Sequence, residues 1–248
     1  MATSRTRKPQ AVELEAPSRW PTLSQPLETL VFLLPFILLY QLGCMLLHTA
    51  PGQVAQERIV AFHLLQVFFE LFGTTGVWMP GLAVVVILLC TQVASRRPWR
   101  VRKRTVGFMY AEAGLLAVPL IALNHVLRIA PLHTGAGGDV ATEAILGIGA
   151  GVYEELVFRL VLISALVMLA SDFLNMPAKA TTVVAVIISA LAFAAHHHPP
   201  LGSEPFEATA FTFRACAGLY LGALFVYRGY GPAAGTHAAY NLLIVLLG

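Results

Sequence analysis

The sequence is poor in charge, in paired cysteines and in aspartate, and each shortage excludes a class of protein. Only 12% of its 248 residues are Asp, Glu, Lys or Arg, whereas soluble domains carry roughly 25%. Cys44, Cys90 and Cys216 form no CxxC motif, so neither a disulfide framework nor a thiolate metal site is indicated. Asp139, in a loop, and Asp172, at a helix end, cannot supply an intramembrane aspartate pair. The sequence also contains no H-E-x-x-H and no G-x-S-x-G motif.

Long apolar runs take the place of charge. Hydrophobic residues make up 57% of the chain and the mean hydropathy is +0.73. A helix needs about 20 mainly apolar residues to cross a bilayer. The sequence therefore predicts an all-α fold, a polytopic transmembrane helical bundle of about seven spans plus one interfacial or re-entrant helix. The predicted spans are 27–48, 77–94, 106–127, 141–170, 181–197, 211–227 and 232–247.

Two basic clusters determine the expected topology. One lies within residues 1–19 and the other within 96–104. The positive-inside rule puts both on the cytoplasmic side, so an even number of crossings must separate them. We therefore interpret 54–72 as the interfacial or re-entrant amphipathic helix, which makes the N-terminus cytoplasmic. Such clusters are typical of segments beside a membrane and do not indicate nucleic-acid binding.

The segment 147–162, GIGAGVYEELVFRLVL, carries three charges within an apolar run. Each charge costs about 2.5–3.5 kcal/mol at the bilayer centre, so it is retained only with a partner or for function. Glu155 and Arg159 are four residues apart and can pair on one helix face, which leaves Glu154 available to accept a proton. The alternative is a purely structural Glu–Arg pair of the kind that locks transporter helices.

A second face of the same helix carries Gly147, Gly151, Glu154 and Phe158. The two glycines lie close to Glu154 on this face. Because they have no side chain, they allow another helix or a substrate backbone to approach closely.

Histidines end the next predicted span in the run ISALAFAAHHHPP. His196, His197 and His198 follow an apolar helix and precede two prolines. Since histidine in a membrane segment usually faces a polar interior, we expect this run to line a cavity. A loop hydrated by water, or adventitious metal binding, is the simpler alternative.

The last predicted span contains THAAYNLL, in which His237 and Asn241 are four residues apart on one face. Paired donors in a dry cavity are what an oxyanion requires. The alternative is hydrogen bonding to a neighbouring helix.

Three motifs on successive apolar helices together carry a family resemblance: Glu-Glu-x-x-x-Arg, Phe-x-x-x-His and His-x-x-x-Asn. Their residues are Glu154, Glu155 and Arg159, then Phe193 and His197, then His237 and Asn241. Residues 141–248 thereby resemble the CPBP family of CAAX-protease and bacteriocin-processing (Abi) membrane peptidases, which includes the eukaryotic type II prenyl-protein endopeptidase. The resemblance implies a CPBP-like catalytic core at 141–248. The polar, proline-containing segment 1–26 is expected to be a flexible cytoplasmic tail, and 27–140 to form N-terminal membrane helices of no recognised family.

The resemblance implies an intramembrane endopeptidase that works without a cofactor. Glu154, helped by His197, would deprotonate a water that attacks the scissile carbonyl. His237 and Asn241 would hold the oxyanion, and Glu155 with Arg159 would organise the site. A zinc-dependent version, with His197, His237 and one glutamate as ligands, is the alternative. His196 can replace His197 if the helix register shifts, and His198 is a third choice.

Substrates implied by the resemblance are prenylated CAAX tails, bacteriocin leaders and C-terminal sorting signals, all membrane-associated peptides or proteins. The compact size favours a processing enzyme of a bacterial inner membrane. Two other functions stay open: a proton- or ion-coupled transporter, which an inverted repeat would support, and a non-catalytic scaffold or immunity protein. The loop LGSEPFEATAFTFR, with Glu204 and Glu207 beside the histidine run, is either a substrate-selecting segment or a solvated loop.

The predicted topology contains one difficulty. It puts His197 near the outer end of its span and His237 near the inner end of the last one. A single site therefore requires the Gly- and Pro-rich segments 198–205 and 229–235 to enter the bundle as irregular backbone lining a cavity.

Overall fold

A computed structural model describes residues 25–47, 60–70, 78–127 and 140–247. Over these residues the fold is entirely helical, which confirms the predicted fold class. The elements are α1 (Pro26–Leu47), α2 (Val60–Glu70), α3 (Met79–Ala94), α4 (Lys103–Leu127), α5 (Val140–Glu155), a π-helical segment (Leu156–Ile163), α6 (Ser164–Met168), a second π-helical segment (Leu169–Phe173), α7 (Ala178–Ala195), α8 (Ala208–Arg228) and α9 (Tyr230–Leu247).

The described helices fit a membrane bundle. Helices α1, α4, α7 and α8 are long and apolar enough to cross a bilayer, and α3 is a shorter apolar helix. Large apolar side chains point outward, among them Leu46, Leu115 and Val126, which are 77%, 72% and 74% exposed. Such surface is unfavourable in water and suits lipid, so the protein is an integral membrane protein. The 11 residues over which the structure describes α2 extend about 16 Å, less than a hydrocarbon core of about 30 Å.

The start of α1 and the end of α3 lie at the same end of the bundle. The backbone N–H of Leu27 donates to the Gln92 side-chain oxygen at 3.2 Å. Both the backbone N–H and the Nε of Arg102 donate to Glu28, at 3.1 and 3.0 Å. This arrangement agrees with an even number of crossings between the two basic clusters. The count of seven spans stays a prediction.

Helices α5 and α9 pack antiparallel at very short range. A Cβ placed on Gly147 would lie 2.9 Å from the Cβ of Asn241, and one placed on Gly151 would overlap the backbone of Ala238. The predicted close approach at the glycine face is therefore confirmed, and the approaching helix is α9.

Gly151→Ala should destabilise the fold by about 1–3 kcal/mol because the new methyl group must displace the α9 backbone. The matched control is Gly114→Ala on α4, where an added Cβ meets open space. That change should be neutral or stabilise the fold by about 0.5–1 kcal/mol, since alanine favours the helix. Detergent-induced unfolding of both variants measures the difference, and equal stabilities would contradict the packing described here.

The expectation that 229–235 is irregular backbone was wrong. Only Gly229 separates α8 from α9, and its φ of 91° allows the chain to reverse there. Pro232 falls in the first turn of α9, where a proline nitrogen leaves no helix hydrogen bond unmade. By contrast, 198–205 is non-helical as expected, and α7 ends at Ala195, before the histidine run.

Candidate active site

The two glutamates lie where α5 changes into the first π-helical segment. Glu154 is 5% exposed, and Glu155 and Arg159 are fully buried. Short π-helical segments are often associated with functional sites, and this one begins directly after the glutamates.

Glu155 and Arg159 form the predicted ion pair, with Glu155 Oε1 2.9 Å from an Arg159 guanidinium nitrogen. The same guanidinium lies 4.3 Å from the centre of the Phe193 ring and donates to the Gly218 carbonyl at 3.4 Å. His237 Nδ1 also contacts Glu155 Oε1, at 2.9 Å. Glu155 thus joins α5, the π-helical segment and α9, while Arg159 reaches α7 and α8.

Glu154 faces two imidazoles. Its Oε1 is 3.5 Å from His196 Nε2, and its Oε2 is 3.8 Å from His237 Nε2. Phe158, one turn beyond Glu154, packs its ring against His196 at a centroid distance of 4.6 Å. His196 Nδ1 is in turn held by the Phe193 carbonyl. At 3.5 and 3.8 Å both separations are at or beyond the limit of a hydrogen bond, so neither ring forms a full hydrogen bond with Glu154.

His197 and His198 are placed differently from each other. The His197 ring lies 3.9 Å from that of His196, and its Nδ1 is 3.0 Å from the Phe193 carbonyl. His198 instead contacts the Glu204 carbonyl through Nδ1 at 3.1 Å.

Asn241 lies one turn beyond His237 and donates its side-chain N–H to the Gly147 carbonyl at 3.0 Å. A side-chain amide carries two N–H donors, so one remains for a ligand. The structure therefore brings together Glu154, Glu155, Arg159, His196, His197 and His237, with His196 closest to Glu154. Asn241 lies further along α9, because the Gly147 carbonyl that it bonds is seven residues, about 10 Å, before Glu154 on α5.

An ion pair beside this site, made by a buried arginine, was not predicted from the sequence. Arg214, 4% exposed on α8, bonds Glu204 at 2.6 Å. The signal was present, because Arg214 is a charge inside an apolar helix and belongs to the same class as Arg159. Glu207, the other acid of that loop, accepts the backbone N–H groups of Thr209 and Ala210 and so caps α8.

One set of donors suits a metal ion. Glu154, His196 and His197 each offer a ligand atom, and these atoms lie within 4.8 Å of one another. Two imidazoles and a carboxylate are a ligand set that zinc accepts in hydrolases. The set differs from the one expected from sequence, since His196 takes the place of His237.

Comparison with known proteins gives one match. Residues 138–243 match the family model described as Type II CAAX prenyl endopeptidase Rce1-like. No match was found among curated proteins or among solved structures. The matched region starts just before α5 and ends within α9, so it contains all three motifs.

Proposed function

We propose that the chain is a glutamate-dependent intramembrane endopeptidase, because residues 138–243 match the model of the Rce1-like family of CAAX proteases, which are peptide hydrolases. One observation carries the proposal: the buried Glu154 carboxylate faces the Nε2 atoms of His196 and His237 at 3.5 and 3.8 Å. Glu155, beside it, is already engaged by Arg159 and His237. Of the two glutamates, Glu154 is the one free to act on a water.

In the proposed reaction Glu154 takes a proton from a water, and the resulting hydroxide attacks the scissile carbonyl carbon. Glu154 then gives this proton to the leaving amine as the tetrahedral intermediate collapses. His196, whose Nδ1–H donates to the Phe193 carbonyl, accepts a hydrogen bond from the water at Nε2 and so orients it beside Glu154. No covalent enzyme intermediate is needed, because both products arise from one attack by water and two proton transfers, one to Glu154 and one from it.

We assign the oxyanion to the α9 residues. When doubly protonated, His237 can donate Nδ1–H to Glu155 while its Nε2–H points towards the Glu154 side of the site. The second N–H of Asn241 lies one helical turn away. Charged donors fixed in advance in a site of low dielectric stabilise a developing oxyanion more than water does. Glu155 and Arg159 act as positioning residues.

Replacing His196 and His197 separately should distinguish their roles. His196→Ala should lower turnover by about 10²-fold or more, because it removes the ring that contacts Glu154. His197→Ala should cost less, since its ring packs against His196 and it is the His196 ring that comes within 3.5 Å of Glu154. Cleavage is followed in vesicles with three reporters, namely a prenylated CAAX peptide, a bacteriocin-type leader and a C-terminal sorting signal. A larger loss in His197→Ala would reverse the assignment.

A zinc-dependent version of the same protease is the second candidate, favoured by the cluster of Glu154, His196 and His197 donors. There the three side chains would hold the ion, which would supply Lewis-acid chemistry to the reaction. Turnover that a chelator abolishes and added Zn²⁺ restores would support this candidate. Unchanged turnover in chelator would support the metal-free reaction.

We also propose an N-terminus on the cytoplasmic side of a bacterial inner membrane, and the organisation 1–26, 27–140 and 141–248. Support for the orientation comes from the ion pair between Glu28 and Arg102, which joins the start of α1 to the basic loop.

A further inference from the structure

The strongest unexplained feature outside the glutamate–histidine cluster is the guanidinium of Arg214. The residue is 4% exposed, and Nη2 bonds the Glu204 carboxylate at 2.6 Å. Among the described residues, nothing accepts a hydrogen bond from its buried Nη1. Since a buried charge is expensive and buried donors are nearly always paired, this nitrogen is suited to an acceptor that arrives with a ligand.

The position of Arg214 connects it to the active site. Glu204 donates its backbone N–H to the His197 carbonyl at 3.1 Å, so the Glu204–Arg214 pair is attached to the histidine turn. On the other side, Phe213 packs on Tyr240, the residue before Asn241, at a centroid distance of 5.9 Å.

Glu204, the ion-pair partner of Arg214, is placed where another carboxylate can replace it. The Glu204 side chain is 43% exposed, against 5% for Arg214, and it comes from a non-helical loop. The carboxylate of Glu204 can therefore leave while the guanidinium stays in place.

We propose that Arg214 binds a carboxylate of the peptide substrate, which displaces Glu204 and anchors the chain beside the scissile bond. A guanidinium is the side chain best suited to a carboxylate, because its planar N–H groups bind both oxygens at once. The carboxylate has two possible sources in a peptide: the free C-terminus, or an Asp or Glu side chain. The inference rests on the proposed peptidase function and adds a substrate class to it, namely peptides with an anionic group near the cleaved bond.

The test uses the full-length protein in vesicles and whichever of the three reporters the wild type cleaves. Each reporter is made as a free acid and as a C-terminal amide, and its acidic side chains are replaced by Asn or Gln in a parallel set. We expect Arg214→Gln to raise KM about tenfold for the anionic form and to leave KM for the neutral form unchanged. A difference between the free acid and the C-terminal amide identifies the C-terminus as the source of the carboxylate. A difference between the acidic side chains and their Asn or Gln replacements identifies an Asp or Glu side chain.

Glu204→Gln gives an independent test, because it removes the competing carboxylate and keeps the buried arginine. KM for the anionic reporter should fall several-fold, with kcat unchanged. Arg228→Gln is the matched control. Arg228 is also an arginine of α8 that bonds a glutamate, since its Nε donates to Glu112 of α4 at 2.7 Å, but it lies at the opposite end of α8. This variant should change KM for neither the anionic nor the neutral reporter.

The same ratio of KM between anionic and neutral reporters in wild type, Arg214→Gln and Glu204→Gln would overturn the proposal. If Arg214→Gln does not fold, Glu204→Gln decides alone. A different result, in which the wild type cleaves no reporter at all, would contradict the proposed peptidase function and this subsite with it.

Discussion

Glu154→Gln should reduce peptide cleavage by about 10²–10⁴-fold while the protein stays folded. Glutamine keeps the size of the side chain and one oxygen, so the packing against His196 and His237 is preserved. It cannot take a proton from water at neutral pH, so the proposed reaction loses its base. The loss should fall on kcat, because the substrate contacts are unchanged.

A matched control is available on the same helix. Glu143 is also a buried glutamate of α5, at 7% exposure, but lies eleven residues, about three turns, before Glu154. Glu143→Gln should keep nearly full kcat. Cleavage of the same reporter by both variants, with inserted protein quantified in the vesicles, measures the contrast. If Glu154→Gln cleaves at the wild-type rate, Glu154 is not the base.

Arg159→Ala should lower the free energy of unfolding by about 3–5 kcal/mol, because it leaves Glu155 as a buried charge without its guanidinium partner. Both side chains are fully buried and 2.9 Å apart. The loss also removes the contact of the guanidinium with the Phe193 ring and with the Gly218 carbonyl. The first π-helical segment, α7 and α8 would lose the contacts that this guanidinium makes between them.

The double variant Glu155→Gln/Arg159→Met isolates the electrostatic part. Removing both charges should cost less than removing Arg159 alone, since no unpaired buried charge remains. Arg228→Ala, which breaks a half-exposed pair with Glu112, should cost at most about 1 kcal/mol. Unfolding in mixed detergent micelles measures all three. A double variant less stable than Arg159→Ala would show that the pair acts through packing and not through charge.

Local spacing explains which parts of the site could be predicted. The Glu155–Arg159 pair is an i, i+4 contact within one chain segment, so its formation needs only helical periodicity. The glycine face at 147 and 151 likewise follows from periodicity, although the sequence could not say which helix would pack there. The prediction of irregular backbone at 229–235 was wrong, because it assumed that the Gly and Pro residues of this segment would break a helix. Here Gly229 makes the turn by itself, and Pro232 starts a helix.

The sequence by itself determined the class of the protein and the chemical groups it uses: an apolar helical chain, with carboxylates, an arginine, histidines and an amide in motifs of fixed spacing. Only the tertiary structure decided which groups meet. It directs His196 rather than His197 towards Glu154, gives His237 contacts with both glutamates, and sets Arg214 beside the histidine turn. The physical reason is that these contacts join residues far apart in the chain, 82 positions for His237 and Glu155. They depend on how helices cross and rotate against one another, which side-chain packing fixes and local periodicity does not.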